Sequence, residues 1–487
     1  FSAPQWSNHP PLLGSWARRH IYCVGSIAAI TVVGIIFCCS MSSIPAKSTE
    51  KKKNEKKKEE AENVTLTTSA SSSFRLPDAL LVGSGEYTTG YVKGGASKSD
   101  KSKGVVGLVF FDLRLRGLVG KRICICGTNG TKFPAVRSHF ASAIGKEYNM
   151  SVECETFPKD DVKRDTKAYL AAMESMLAGD IVTVFTPDDT HFEVVMAAIQ
   201  RGLHVMCTKP MVKTLDQHRK IAEAAKKAGV LVQIEVHKRY DFIYEDARER
   251  IRSLGDFSYF VSHMSQPKFQ LETFRSWAGQ SSDISYYLNS HHIDFHVWAL
   301  QGLARPVCVY GVASTGLAKS MDIPAEDTIT LTVQWVNLKS GNIGNAVYTA
   351  SWIAGRADVH SQQRFFYMGH GGEITIDQAH RGYTTCTDEK GSFSSVNPLY
   401  MKYTKAHDGH FGGRHGYGYR SFEAFVHQVT SLNSGKSTLE QADSYLPTAN
   451  NTLQVTAILE AGRRSIDLKK PITIKFDSAG DPEGFTS

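Results

Sequence analysis

Three short stretches hold residue types that can do chemistry together. Gly127-Thr128-Asn129-Gly130 follows a short apolar run and leads into a helix opened by Pro134. Such a turn lets backbone N–H groups approach a pyrophosphate, whose charge the helix amino terminus favours. Asn129 stands where the second glycine of a G-x-G-x-x-G turn would be, and Asn tolerates positive φ better than most residues. Thr186-Pro187 with His191, and then Lys209-Pro210, each follow a β-rich run. The third stretch is Tyr286–Trp298, where Tyr287, His291 and Asp294 recur at helical spacing. Their shared face would present an imidazole with a phenol and a carboxylate beside it. His292 and His296 stand four apart, as two metal ligands would, but Ile-Asp-Phe separates them rather than the Glu-x-x of a metalloprotease. No metal site is expected.

The elements that must position these groups alternate. Candidate strands are Arg122–Cys126, Ser151–Thr156, Ile181–Phe185, His204–Cys207 and Leu231–Ile234, with helices between them at Pro134–Ile144, Lys167–Leu177, Phe192–Arg201 and Leu215–Ala228. Gly145, Gly202 and Gly229 follow three of these helices directly, and Gly179 follows the fourth one residue later; all read as left-handed caps. Thr214 reads as an N-cap. This alternation predicts a doubly wound parallel sheet, with ligands at the carboxyl ends of its strands. Further on, Phe257–Ser265, Val307–Ser314, Thr328–Val336, Ala346–Ile353, Arg364–Met368 and Glu373–Ile376 are β-branched or aromatic runs, and helices are expected near Tyr419–Ser431 and Leu453–Ile466. The fold class is therefore α/β plus α+β: a Rossmann-like domain over 121–241, then an open, mostly antiparallel sheet domain over 242–475 with a tail at 476–487.

The 487 residues are 41% hydrophobic and 21% charged, enough for two or three cored domains. The formal charge is +8. Nearly all of that excess precedes Lys121, so the cored part is close to neutral and a nucleic-acid-binding body is disfavoured. Nine scattered cysteines indicate reduced thiols rather than a disulfide framework, and Cys124 and Cys126 alternate onto one strand face. Residues 1–120 read as a leader. Within it 21–39 carries no charge and reads either as a bilayer span or as upstream sequence before Met41. Both readings leave the body cytoplasmic, and only the first gives a membrane partner. The stretch from Ala46 to Lys103 is rich in Lys, Glu, Ser and Gly and reads as a disordered tether.

Thr186-Pro187-Asp188-Asp189-Thr190-His191 and Thr208-Lys209-Pro210 together resemble the Gfo/Idh/MocA oxidoreductases, which typically show T-P-x-x-x-H and, about twenty residues later, E-K-P. Thr208 stands where their glutamate usually does. The resemblance extends over about Lys121 to Asp467 and includes the helix start His237-Lys238-Arg239-Tyr240-Asp241. It implies an NAD(P)-dependent oxidoreductase acting on a hydroxyl or ketone of a small, carbohydrate-like substrate, with Lys209 and His291 in proton transfer. In the family pattern D-x-x-x-H-x-x-D, His291 aligns with the catalytic histidine, Asp294 with the later acid and Tyr287 with the first aspartate. Cofactor contacts are expected from Gly127, Thr128, Asn129, Gly130, Thr186, Pro187, His191, Lys209 and Pro210. Glu155 is the nearest acid for an adenosine ribose, with NAD and NADP both open. His237 and Arg239 are expected to touch substrate, with Lys268, Trp277 and Arg364 as further pocket residues. The resemblance also implies a homo-oligomer.

The chemistry suits these side chains. Hydride leaves an alcohol carbon as its hydroxyl loses a proton, so a base and a cation on the developing alkoxide are both required. His291 fits the first role and Lys209 the second. Two alternatives share the fold: a glycoside hydrolase that keeps its NAD bound, and a non-catalytic nucleotide-sensing regulator. The presence of both proton-transfer groups argues against the regulator.

Overall fold

The computed structural model describes residues 75–97, 99, 101–355, 359, 361–389 and 391–487. The apolar segment 21–39 lies outside the described residues. No helix among the described residues is long and apolar enough to cross a membrane.

Six parallel strands form the first sheet: β1 (Ala79–Val82), β2 (Ile123–Cys126), β3 (Glu155–Phe157), β4 (Ile181–Val184), β5 (His204–Thr208) and β6 (Val232–Glu235). Their spatial order is β3-β2-β1-β4-β5-β6, the doubly wound arrangement. Each central strand buries both faces. Ala79, Leu81, Ile123 and Ile125 point into one core and Leu80, Val82, Cys124 and Cys126 into the other, as the strand period of two requires. The expected alternation of the two cysteines is thus observed.

This topology corrects the expected start of the domain. The folded body does not begin at 121: residues within the supposed tether supply β1, which lies at the centre of the sheet between β2 and β4. After β1 the chain makes a single helical turn, α1 (Glu86–Thr89), and then a small hairpin pairing Tyr91–Val92 with Gly95–Ala96. The helical path resumes at α2 (Val106–Leu115). The Val105 amide donates to the Tyr87 carbonyl, which joins α2 to the interrupted turn. The insertion closes where Gly90 and Gly104 meet. A Cβ on Gly90 would lie 2.4 Å from the Gly104 nitrogen, and both have positive φ. The lysines and serines of this inserted hairpin continue the composition of the 46–74 stretch, which lies outside the described residues.

The remaining helices of the half are α3 (Phe133–Phe140), α4 (Ala168–Glu174), α5 (His191–Gln200) and α6 (Leu215–Ala228). Thr214 caps α6 by accepting from the Gln217 amide, and Gly229 ends it in the left-handed region. Gly179 and Gly202 also have positive φ. Gly145 does not: the helix runs through it in a π turn, and Asn149 takes the left-handed position instead.

After α7 (Phe242–Ile251) comes α8 (Ser290–Leu300), preceded directly by a π turn at Ser285–Asn289. The second sheet contains β7 (Phe257–Pro267), β8 (Ala304–Ser314), β9 (Thr328–Asn337), β10 (Ile343–Ala354), β11 (Gln362–Gly369), β12 (Gly372–Asp377), β13 (Ile472–Phe476) and β14 (Pro482–Thr486). Their order is β12-β11-β7-β10-β9-β8-β13-β14, antiparallel except where β10 pairs with β7. The tail expected at 476–487 is therefore the edge of this sheet. Helices α8 and α10 (Leu453–Leu468) bury one face around Trp335, Tyr348 and Trp352. The other face leaves Tyr259, Tyr310, Val312, Ile343 and Met368 exposed.

A boundary at 241 also misplaces α9 (Tyr417–Asn433). Phe422, Phe425, Val426 and Val429 of this helix pack in the first sheet's core beside Phe110 and Leu81. Buried Asp112 of α2 fixes the contact, accepting from both Arg414 nitrogens at 2.7 and 2.9 Å and from the Tyr419 hydroxyl at 2.6 Å. A helix that follows most of the second sheet in sequence thus completes the core of the first.

Candidate active site

The carboxyl ends of β1, β2 and β4 open into a cleft of about 430 Å³, lined by Gly83, Ser84, Gly85, Gly127, Thr128, Thr186, Pro187 and Asp165, among others. The glycine turn after the first strand is Gly83-Ser84-Gly85, not Gly127–Gly130, which follows the second. Its two glycines have different causes. Gly83 has φ +110°, and a Cβ there would lie 2.1 Å from the Phe185 carbonyl oxygen. A Cβ at Gly85 would meet nothing within 4 Å. The protein requires glycine at the first position, whereas at the second glycine leaves room for a ligand to approach the backbone. These residues fit a dinucleotide.

The second-strand turn divides accordingly. Gly127 and Thr128 line the cleft. Asn129 instead caps its own turn, accepting from the amide and the hydroxyl of Thr131. Gly130 lies against the following loop, where a Cβ would meet the Lys159 oxygen at 1.8 Å. Neither belongs to the cleft. Glu155 is misassigned as well: it opens β3 at the sheet's amino-terminal edge and pairs with Arg122 at 2.7 Å. The strand expected first, at 122–126, is the second of the sheet, so Glu155 lies on the third strand rather than at the end of the second.

Thr186, Pro187 and His191 form one unit with Lys209-Pro210. The His191 ring is buried, and both nitrogens face only carbonyl oxygens: Nδ1 lies 3.0 Å from Pro210 and 3.1 Å from Met211, and Nε2 lies 2.8 Å from Thr186. An imidazole can meet carbonyls at both nitrogens only by carrying both protons. Burial opposes that charge, yet Cys207, Asp188 and the Thr186 carbonyl outweigh it and raise the pKa to about 10. His191 is therefore a cationic clamp between two loops.

That clamp sets the position of Lys209. The Lys209 ammonium donates to the Tyr287 carbonyl and lies 4.1 Å from the centroid of the Tyr287 ring. Burial pushes its pKa down to about 8, against the pull of Asp188 and Glu235. Glu235 supplies a carboxylate that Thr208 does not, because the two residues are register partners on β5 and β6. Its side chain is held by Nδ1 of His237 at 3.2 Å and by the Ser421 hydroxyl at 3.3 Å. Sequence spacing offers no sign of this substitution across strands; register alone reveals it.

His291 lies on the other side of Lys209, one helical turn beyond Tyr287. It is buried, its ring centroid is 5.3 Å from that of His237, and its Nδ1 has no protein partner. Burial, then the Lys209 charge, then His237, Lys238 and His292 hold its pKa well below the usual imidazole range. It is a neutral base facing a lysine. The His237 ring also contacts Tyr417 and Tyr400, at 5.5 and 5.3 Å between centroids. The Tyr417-Gly418-Tyr419 stretch thereby supplies both a wall of the site and, through Tyr419, the anchor to Asp112.

Two expected site residues are excluded by their partners. Asp294 and Arg239 form a bidentate ion pair at 2.7 and 2.9 Å, both nearly inaccessible, with the guanidinium 5.4 Å from the Trp298 ring. Neither is placed to reach a substrate. Tyr287 borders Lys209, but its ring stacks on Trp352 at 5.5 Å and lies 5.3 Å from both Trp277 and Phe274. The π turn at 285–289 places Tyr287 in this aromatic cluster while His291 faces His237. Lys268 and Arg364 are exposed. His292 meets the Tyr244 hydroxyl at 3.2 Å and His296 the Tyr348 hydroxyl at 2.7 Å. The sequence pattern missed Lys238, a second buried lysine that donates to Gln363 and Gln378.

Residues 119–236 match the family model described as an oxidoreductase family with an NAD-binding Rossmann fold, GFO_IDH_MocA. An uncharacterized oxidoreductase of Escherichia coli, YdgJ, is 32% identical over 118 residues, which are 24% of this chain and 34% of that protein. The scyllo-inositol 2-dehydrogenase (NADP(+)) IolW of Bacillus subtilis is 28% identical over 229 residues, 45% of this chain and 61% of that protein. The alignments thus span about a third to three fifths of these relatives. Among solved structures, a myo-inositol 2-dehydrogenase from Lactobacillus plantarum superposes with TM-score 0.54 at 18% identity, covering 82% of this chain and 100% of that one. GenD2 from gentamicin A biosynthesis, in complex with NAD, gives 0.56 at 17% identity, covering 82% and 97%. At these identities the structures establish the shared fold.

Proposed function

We propose that this chain, which belongs to the Gfo/Idh/MocA oxidoreductase family through its NAD-binding Rossmann domain, transfers hydride between a nicotinamide dinucleotide and a secondary hydroxyl or ketone of a polyol or sugar. One observation carries the reading. The Lys209 ammonium donates to the Tyr287 carbonyl, one helical turn before buried His291, whose Nδ1 has no protein partner.

The dinucleotide, when bound, supplies the hydride acceptor or donor. Gly83-Ser84-Gly85 would receive its phosphates, and Thr186 and Pro187 would border its nicotinamide half. His291 takes the proton of the reacting hydroxyl at its unpaired Nδ1. The Lys209 ammonium steadies the charge left on oxygen, and its pKa near 8 lets it exchange that proton at working pH. Asp188, and then Glu235 from the neighbouring strand, pull the Lys209 pKa back up against burial. In the reductive direction the same groups return the proton.

The second strand ends in Gly127-Thr128-Asn129, with no carboxylate where a ribose 2′-hydroxyl is usually held. Asp165 lines the same cleft and its amide donates to the Thr128 carbonyl at 2.9 Å, so the following loop brings a carboxylate beside that turn, and NAD(H) and NADP(H) are both proposed cofactors. The exposed face of the second sheet is the proposed contact between two copies, giving a homo-oligomer whose mass light scattering would read.

The test is direct. Purified protein with NAD⁺ or NADP⁺ and a panel of polyols and aldoses should show absorbance of reduced nicotinamide, and Lys209→Met should abolish it. Unchanged turnover in Lys209→Met would contradict the reading.

A further inference from the structure

Three polar atoms near Tyr287 are buried without a hydrogen-bond partner: the Gln266 side-chain oxygen Oε1, the Trp352 indole Nε1 and His291 Nδ1. Gln266 is 4% exposed, Trp352 0% and His291 8%. The Gln266 amide nitrogen lies 3.4 Å from the Tyr287 hydroxyl, and the Trp352 ring stacks on the Tyr287 ring at an angle of 17°. Gln266 and Trp352 each follow the last regular register pair of β7 and β10, Ser265 with Ser351, where the pairing becomes irregular. A partnerless buried polar atom keeps its full desolvation cost, and native folds leave few of them. Three around one residue call for a common partner.

Their chemistry describes that partner. The Gln266 oxygen only accepts, the indole N–H only donates, and the imidazole nitrogen can do either. Neighbouring hydroxyl groups answer all three, because each both donates and accepts. Trp277 and Phe274, half-buried beside Tyr287, add an aromatic surface suited to the C–H side of a saturated ring. Lys209, lying over Tyr287, covers this face and would uncover it on moving toward a reacting oxygen.

We propose that Gln266 and Trp352 form, beside His291, the subsite that hydrogen-bonds the hydroxyl groups of the substrate ring, and so determine which ring is accepted. This rests on the dehydrogenase reading above and adds the residues that give it specificity. A site whose buried polar groups lose their partners rejects a ligand far more strongly than one that loses only apolar contact.

The test uses the full chain with NADP⁺ and NAD⁺, and with scyllo-inositol, myo-inositol and D-glucose as probes. Gln266→Met keeps length and apolar volume while removing the acceptor; Gln266→Glu keeps the shape; Trp352→Phe keeps a ring and removes the donor. With the best of the three probes, Gln266→Met should raise KM by about tenfold or more with a much smaller change in kcat, and Trp352→Phe should do likewise. The rise in melting temperature on adding dinucleotide should persist in every folded variant. Gln266→Glu, which retains an acceptor, should raise KM less than Gln266→Met; an unchanged KM in Gln266→Met, or a loss in kcat alone, overturns the subsite, as does turnover of none of the probes by a wild-type protein that binds dinucleotide. Absence of any dinucleotide-induced shift in the wild type overturns the dehydrogenase reading itself.

Discussion

His191 and His291 are both buried imidazoles near Lys209, the first bonded to the adjacent Pro210 carbonyl and the second within reach of the Lys209 charge, yet they are opposite in character. His191 faces three carbonyls and carries two protons; His291 has an unpaired nitrogen, faces the Lys209 charge and carries one. Burial acts against charge at both, so what the ring nitrogens meet decides the outcome. The first histidine holds loops, and the second keeps a ring nitrogen open for the proton transfer proposed for it. A motif histidine can therefore be structural, and its partners distinguish it from a catalytic one.

The largest expected effect separates the two. His291→Asn and Lys209→Met should each lower turnover about 10²- to 10⁴-fold while dinucleotide still raises the melting temperature. An equal loss in His191→Phe, at unchanged stability, would break the distinction.

Next in size is the Asp294–Arg239 pair on the same helix as His291. Asp294→Asn leaves a guanidinium buried without its partner and should cost about 3–5 kcal/mol in urea unfolding. Turnover per folded molecule should fall much less than in His291→Asn. A catalytic Asp294 would reverse that order.

His191→Phe should destabilise by about 1–3 kcal/mol for each carbonyl left without a donor, and should raise KM for the dinucleotide because both bordering loops lose their clamp. Melting curves and initial rates measure the two effects.

The smallest effect concerns pH and Lys209. Its folded pKa, about 8, lies below the value of 10.5 for a free lysine. The unfolded chain therefore binds more protons between those values. The penalty for burying this charge is fully present below pH 8 and is relieved as pH rises toward 10.5. Stability attributable to Lys209 should rise across that window, and Lys209→Met should flatten the rise. The rate of alcohol oxidation should show a limb near pH 8.

Local motifs were legible in the sequence because their geometry is local. Thr186-Pro187 with His191, and Lys209-Pro210, end adjacent strands as expected, and α6 begins and ends where its cap residues indicate. The first strand was not legible. Ala79–Val82 is four apolar residues between Pro77-Asp78 and Gly83, and a hairpin inserted after α1 breaks the helix that would have announced a βα unit. Missing it moved the phosphate turn to the wrong strand and carried Glu155 with it. Glu235, Lys238 and Tyr417 escaped for another reason. Their proximity to Lys209 and His291 arises from strand register and from a helix that returns to the first sheet, neither of which leaves a periodic trace. Asp294 obeyed the helical period, but spacing cannot show that Arg239 occupies it.

The most direct test of the account is a paired measurement on Lys209→Met: dinucleotide binding by thermal shift, and reduction of NAD⁺ or NADP⁺ with a polyol that the wild type oxidises. The account predicts retained binding, undiminished folding and loss of turnover by about 10²-fold or more. Turnover equal to the wild type, with binding intact, would contradict it.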